Sequence, residues 1–162
     1  MLDEKLVELL NDQVNKEFYS AYLYLSMANY YNEEGLSGFG NWFTIQAQEE
    51  RDHAMLFLEY LQNNGAHVEL KTVEAPKKQF KEFKDPLNES LKHERYVTAS
   101  IHNIYAAASN VKDFRTMQFL DWFVKEQGEE EKTAEDLIKK LELFGQDGKG
   151  LYMLDSELAS RT

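Results

Sequence analysis

Apolar residues recur every three or four positions along four long segments of this chain, which is the spacing of one face of an α-helix. Candidate N-caps precede three of these segments, at Asp3, Asp85 and Asp113, and Gly35 and Gly65 are suited to end the first two. No stretch alternates with a period of two. We therefore predict an all-α protein whose main helices cover residues 3–32, 37–64, 86–112 and 114–144.

Residues 65–85 lose the helical period and contain Pro76. Short turns join the first helix to the second and the third to the fourth, so each pair is expected to form an antiparallel hairpin. The long link between the hairpins predicts a crossover along the bundle, with the third helix parallel to the second. The expected fold is a single domain, residues 1–162, with the bundle over 3–144, the crossover over 65–85 and a short amphipathic C-terminal helix at about 150–160.

The composition excludes several classes of function. The 162 residues include 18 Lys plus Arg against 29 Asp plus Glu, a formal charge of −11 that argues against a nucleic-acid partner. The chain has no cysteine, which excludes disulfides, thiolate metal sites and a cysteine nucleophile. No apolar stretch reaches the ~18 residues of a membrane span, and the N-terminus lacks the apolar run of a signal peptide. We expect a cytoplasmic protein without membrane contact.

Every predicted helix places a carboxylate in the middle of its apolar stripe. The carboxylates are Glu17, Glu49 or Glu50, Glu94 and Glu130. An unpaired buried carboxylate costs several kcal/mol, and neighbouring carboxylates repel each other. No lysine or arginine lies on the stripes, so a multivalent cation is the simplest neutralising group. A single Glu on such a helix would indicate only a solvated surface residue, and the metal hypothesis depends on the joint pattern.

The two hairpins repeat this polar pattern. Glu17 and His53 each lie 18 residues from Gly35, so they are expected at the same height in the first hairpin. An offset of 77 residues superimposes the second hairpin, matching Glu17 with Glu94 and His53 with Glu130. Oxygen ligands with one imidazole suit iron, manganese or, less specifically, zinc.

Glu17, Glu50-x-x-His53, Glu94 and Gln127-x-x-Glu130 resemble the ferroxidase centre of bacterial non-haem ferritins, and the resemblance covers the whole chain. Ferritin-like di-iron bundles with two Glu-x-x-His motifs are a related pattern, but this chain has only one. Bacterioferritins carry a haem-ligating methionine where Arg51 stands here, and rubrerythrins append a four-cysteine iron domain. The single-His pattern is therefore similar to ferritin proper.

The resemblance implies a ligand set for two irons bridged by Glu50, comprising Glu17, Glu50, His53, Glu94, Gln127 and Glu130. It also implies a third iron site, shared with Glu130, at Glu49, Glu126 and Glu129. Tyr24 matches a tyrosine close to the centre in that family. Gly128, inside the fourth helix and beside these residues, has no explanation in the sequence.

The function implied by the resemblance is iron storage and detoxification. Fe²⁺ would be oxidised to Fe³⁺ with O₂ or H₂O₂ and deposited as ferric mineral inside a cage of 24 identical subunits, without haem. Two alternatives stay open from the residues. One is a rubrerythrin-like di-iron peroxidase or oxidase without storage, and the other is a metal-free helical interaction module.

Overall fold

The computed structural model of the chain describes residues 1–76 and 79–162. Lys77 and Lys78, which belong to the predicted crossover, lie outside the described residues. The helices are α1 (Glu4–Glu33), α2 (Ser37–Asn63), α3 (Lys84–Asn110), α4 (Phe114–Phe144) and α5 (Gly148–Leu158). The described residues form no strand, and none of their helices is long and apolar enough to cross a bilayer. The predicted all-α fold is confirmed.

Aspartate side chains cap α1, α4 and α5. Asp3 accepts hydrogen bonds from the first turn of α1, and Asp113 accepts one from the backbone N–H of Thr116, as predicted. Asp147 accepts from the N–H of Gly150, so α5 begins at Gly148, slightly earlier than expected.

The prediction that Asp85 caps the third helix is wrong. α3 begins at Lys84, and the Asp85 carboxylate accepts from the N–H groups of Lys81 at 2.8 Å and Glu82 at 2.9 Å. Asp85 therefore orders the last residues of the crossover instead of the first turn of the helix. Pro86 remains within the first turn, where its missing N–H has no intrahelical partner to lose.

The direction of each helix follows from contacts between α1 and α3. Near one end of the bundle the Tyr31 hydroxyl donates to the carbonyl oxygen of Phe83 at 2.6 Å. Further along, Lys16 Nζ donates to Ser100 Oγ at 2.7 Å. Residue numbers fall along α1 as they rise along α3, so these helices are antiparallel. Because α1 and α2 form a hairpin, α3 runs parallel to α2, as the long crossover predicted.

The crossover is fastened to the outside of α1. Asn11 donates from Nδ2 to the carbonyl of His67 at 3.0 Å and accepts the N–H of Glu69 at 2.8 Å. At the other end of the same helix, the rings of Tyr30 and Phe80 meet edge to face with centroids 5.5 Å apart. The described part of the crossover thus follows α1 over most of its length.

The apolar core is divided into two clusters, one toward each end of the bundle. One cluster is built around aromatic residues, including Tyr31, Phe39 and Phe43. The other includes Leu10, Leu61, Phe57, Leu120 and Phe123. Between the two clusters lies a layer of buried polar side chains, which contains the predicted site.

α5 packs across the start of α2. A Cβ atom on Gly38 would lie 1.8 Å from the carbonyl oxygen of Asp155, so only glycine permits this approach. The Asp155 carboxylate also accepts the N–H of Phe39 at 2.9 Å. This docking brings the residues that follow α5 alongside α2.

Candidate metal centre

Each main helix contributes one or two of the predicted ligand side chains to the polar layer. Glu17, Glu50 and Glu94 are at most 1% exposed, and His53 and Glu130 are also buried, at 5% and 8%. Each comes from the apolar stripe of its helix, so helical periodicity places them in the interior. The bundle then brings the four helices to the same height.

These five side chains form two overlapping groups of possible metal ligands. Glu17, Glu50 and His53 place one ligand atom each within 4.8 Å of the others, and Glu50, Glu94 and Glu130 do the same. Glu50 belongs to both groups. The arrangement can therefore hold two cations side by side with one shared carboxylate.

Two buried polar atoms in the first group have no hydrogen-bond partner among the described residues. They are Glu17 Oε2 and His53 Nδ1, which lie 4.0 Å apart. His53 Nδ1 also lies 3.3 Å from Glu50 Oε2. Buried polar atoms are normally satisfied, and a cation bound between these three atoms would satisfy them.

Burial raises the pKa values of all four carboxyl groups in the layer. The pKa of Glu17 and that of Glu50 are raised well above the ordinary value, first by burial and then by repulsion from neighbouring carboxylates. The pKa of Glu130 rises to about 8 for the same two reasons. Burial also raises the pKa of Glu94. Within residues 1–76 and 79–162, none of the four forms an ion pair with lysine or arginine.

Three glutamine amides hold these carboxylates in place. Gln13 Nε2 donates to Glu17 Oε1 at 2.8 Å, and Gln127 Nε2 donates to Glu94 Oε2 at 3.0 Å. Gln46 Nε2 donates to two carboxylates at once, to Glu50 Oε1 at 3.0 Å and to Glu130 Oε2 at 2.9 Å. The NH₂ group of a glutamine amide can only donate hydrogen bonds. These contacts therefore favour the ionised form of each carboxylate.

Gln127 was predicted as a metal ligand, and here its amide nitrogen contacts Glu94 and Thr98 Oγ1, the latter at 3.3 Å. The supporting roles of Gln13 and Gln46 were missed. A signal was available, because each glutamine precedes its glutamate, Glu17 or Glu50, by four residues, which places both side chains on one helix face.

Tyr24 touches the second group directly. Its hydroxyl donates to Glu94 Oε1 and lies 3.3 Å from Ser90 Oγ. The ring is only 1% exposed and stacks on Phe43. Burial and the charge of Glu94 raise the pKa of Tyr24 well above its ordinary value, so the phenol keeps its proton at neutral pH.

The residues of the predicted third site are only partly brought together. Glu126 joins His53 and Glu130 in a third group of ligand atoms within 4.8 Å, a combination that the sequence did not suggest. The Glu49 side chain is 43% exposed and accepts a hydrogen bond from Arg161 at 2.9 Å. Glu129 is 64% exposed and lies 3.9 Å from Lys125. Neither belongs to a group of three ligands among the described residues.

The chain forms a four-helix bundle with one crossover. All four helices contribute carboxylates at the same height, together with one histidine. These features are typical of the di-metal carboxylate class. Residues 7–144 match the family model described as ferritin-like domain. This chain belongs to the ferritin family.

Relatives with full-length similarity come from several organisms. The chain is 41% identical over 162 residues to a bacterial non-heme ferritin of Staphylococcus aureus (strain USA300), covering 100% of this chain and 98% of the relative. It is 41% identical over 155 residues to the bacterial non-heme ferritin of Campylobacter jejuni, covering 96% and 93%. Among solved structures, an open pore ferritin from the archaeon Archaeoglobus fulgidus superimposes with a TM-score of 0.97 at 45% identity, covering 99% of this chain and 98% of that one.

Proposed function

We propose that this protein oxidises Fe²⁺ to Fe³⁺ at the paired ligand groups, with O₂ or H₂O₂ as oxidant, and stores the product as ferric mineral inside a cage of 24 subunits. Membership of the ferritin family supports iron storage in general terms. The observation that carries the proposal is the sharing of Glu50 between two groups of buried ligand atoms.

Two ferrous ions bound side by side would supply the two electrons that reduce O₂ to H₂O₂, with two protons taken up. H₂O₂ would likewise take two electrons and two protons to give water. Glu17, Glu50 and His53 are the proposed ligands of the first ion, and Glu50, Glu94 and Glu130 those of the second. Their negative charge stabilises the ferric product more than the ferrous substrate, because the ferric ion carries one more positive charge.

Storage requires a cavity that a single chain of 162 residues cannot enclose, so the proposal includes assembly with copies of itself. The formal charge of −11 for each subunit gives an assembly a strong attraction for Fe²⁺. The related archaeal protein is described as an open pore ferritin, and a variant of it was engineered to a closed form.

The proposal is tested with isosteric substitutions in the polar layer. Glu94→Gln removes the charge of one proposed ligand without changing its shape, and Glu59→Gln is the matched control on the exposed face of α2. The E94Q protein should keep its helical content but lose rapid oxidation of Fe²⁺, followed by absorbance of the ferric product. Retention of wild-type oxidation in E94Q would contradict the proposal.

Size-exclusion chromatography after aerobic loading distinguishes storage from its alternatives. A very large assembly that holds many irons per subunit supports the proposal. A small oligomer that saturates at two or three irons would instead indicate a rubrerythrin-like oxidase or peroxidase. The metal-free module predicts that the protein binds no iron. It also predicts that Glu17→Ala raises the stability of the protein, because it removes a buried charge.

A further inference from the structure

Arg161, which follows α5, folds back onto α2 beside the polar layer. Its guanidinium lies over the ring of Trp42, 4.2 Å from the centroid, and Nη1 donates to the carbonyl of Trp42 at 3.1 Å. Nη2 donates to Gln46 Oε1 at 3.1 Å and to Glu49 Oε2 at 2.9 Å. Only 21% of the side chain is exposed. The sequence offered no signal for these contacts.

The main chain at Arg161 is held as well. Asn41 Nδ2 donates to the carbonyl oxygen of Arg161 at 3.1 Å. The fixed backbone, the stacking on Trp42 and the planar fork of the guanidinium together leave the side chain little freedom. Arg161 is therefore a preorganised donor at this point of α2.

The contact with Arg161 helps to fix which way the Gln46 amide points. A guanidinium can only donate hydrogen bonds, so the atom of Gln46 that faces it must be Oε1. The NH₂ group then faces the polar layer, where its two hydrogens reach Glu50 Oε1 and Glu130 Oε2. Without Arg161, the amide would lose the contact that holds its oxygen side and would be freer to move away from the two carboxylates.

The same Arg161 nitrogen neutralises Glu49. This carboxylate is one of the three residues that the sequence suggested for a third iron, yet here it pairs with Arg161. Release of Arg161 would free Glu49, which then lies on the same helix as Glu50 with an unpaired negative charge.

We propose that Arg161 is a positioning residue that favours occupation of the paired metal positions over a third: it orients Gln46 toward Glu50 and Glu130, and it withholds Glu49 from further iron. The proposal rests on the function proposed above. It assigns Arg161 no contact with iron or oxidant. Its effect passes through Gln46 and Glu49.

The test is an anaerobic calorimetric titration of the metal-free protein with Fe²⁺, which measures binding without turnover. Arg161→Ala should weaken binding of the second ion by about 10-fold, the lower end of the usual effect of losing a side chain that orients a ligand, because Arg161 acts on that ion only through Gln46. It should also strengthen binding of any third ion. Arg161→Lys, whose ammonium can still donate to Gln46 Oε1 but which lacks the planar fork, should lose less affinity for the second ion than R161A.

A double-mutant cycle separates this role from general damage to the fold. Gln46→Ala should reproduce the weaker second-ion binding of R161A, and the double variant should lose little more, because both residues act through one amide. The control is Lys140→Ala, which breaks the ion pair between α4 and Glu157 on α5 but touches neither Gln46 nor Glu49. K140A should bind iron as the wild type does.

Three results would overturn the inference while leaving the proposed function in place. R161A could bind Fe²⁺ with wild-type affinities, its loss of affinity could add fully to that of Q46A, or K140A could lose as much affinity as R161A. If the wild-type protein itself binds no second Fe²⁺ ion, the proposed function fails, and the inference fails with it.

Discussion

Tyr24 on α1 donates its phenolic hydrogen to the carboxylate of Glu94 on α3, joining the two hairpins inside the bundle. This hydrogen bond lowers the pKa of Glu94 against the larger effect of burial. Tyr24 therefore helps to keep a proposed ligand of the second ion in its ionised, metal-binding form.

Tyr24→Phe should weaken anaerobic binding of the second Fe²⁺ ion by about tenfold, a loss typical of removing a hydrogen bond to a ligand. The loss should shrink as the pH rises, because Glu94 then ionises without help. Calorimetric titrations at two pH values measure both effects. Tyr152→Phe is the control, since Tyr152 is 73% exposed on α5. An equal loss at both pH values would contradict the assigned role.

The positions of the proposed ligands could be predicted because each lies on an apolar helical stripe and the counts from the turns set its height. Glu17 and His53, both 18 residues from Gly35, do meet in the interior. Helix periodicity and turn position are local properties, so the sequence carries them directly.

The contacts of Arg161 could not be predicted in this way. They depend on how α5 docks on α2, which is decided by the close approach of Asp155 to Gly38. No periodic pattern records that approach. At Asp85 a local signal was present but misleading. Asp-Pro is a strong signal for a helix start, but the Asp85 carboxylate accepts hydrogen bonds from the N–H groups of the preceding turn.

The metal-free protein should become less stable as the pH rises from about 5 to 8. The pKa of Glu130 is about 8 in the folded chain, against 4.5 for an ordinary Glu, so between these values the folded state binds more protons than the unfolded state. Under that condition the free energy of unfolding falls with increasing pH. Thermal unfolding of the metal-free protein across this range measures the trend.

A bound divalent cation should reverse this dependence, because it replaces the protons and binds more tightly as they are released. Zn²⁺ is a suitable probe because it has no redox chemistry. The E94Q protein, with fewer charges in the layer, should show a weaker dependence on pH without metal. A midpoint that rises with pH in the metal-free wild type would contradict the assigned protonation.

Gly128 lies in the interior of α4 on its exposed face, and a Cβ there would meet no atom within 4 Å. Packing in the subunit does not require glycine at this position. Gly128→Ala should therefore stabilise the helix by about 1 kcal/mol, which corresponds to about 2–4 °C in the unfolding midpoint of a chain of this size. Gly38→Ala is the contrasting variant. Its Cβ would lie 1.8 Å from the backbone carbonyl oxygen of Asp155, so it should destabilise.

The 77-residue repeat extends to the backbone of the turns. Gly35 and Lys112 occupy equivalent places and both have positive φ, at +83° and +58°. The N–H of Leu36 bonds the carbonyl of Tyr31 at 2.8 Å, and the equivalent N–H of Asp113 bonds that of Ala108 at 2.9 Å. Both turns are Schellman caps, which favour glycine at the left-handed position.

Lys112 thus occupies the position that glycine occupies in the first hairpin. Its left-handed backbone follows the last residue of α3, Asn110. Lys112→Gly should raise the free energy of unfolding by about 0.5–1 kcal/mol, because relief of left-handed strain exceeds the added entropy of the unfolded chain. Gly35→Ala is the reciprocal variant. A Cβ at Gly35 meets no atom within 4 Å, so its expected loss of about 1–2 kcal/mol reports backbone strain alone. Chemical denaturation measures the free energy of unfolding of both variants. If K112G is less stable than the wild type, the Lys112 side chain contributes more stability than its left-handed backbone costs.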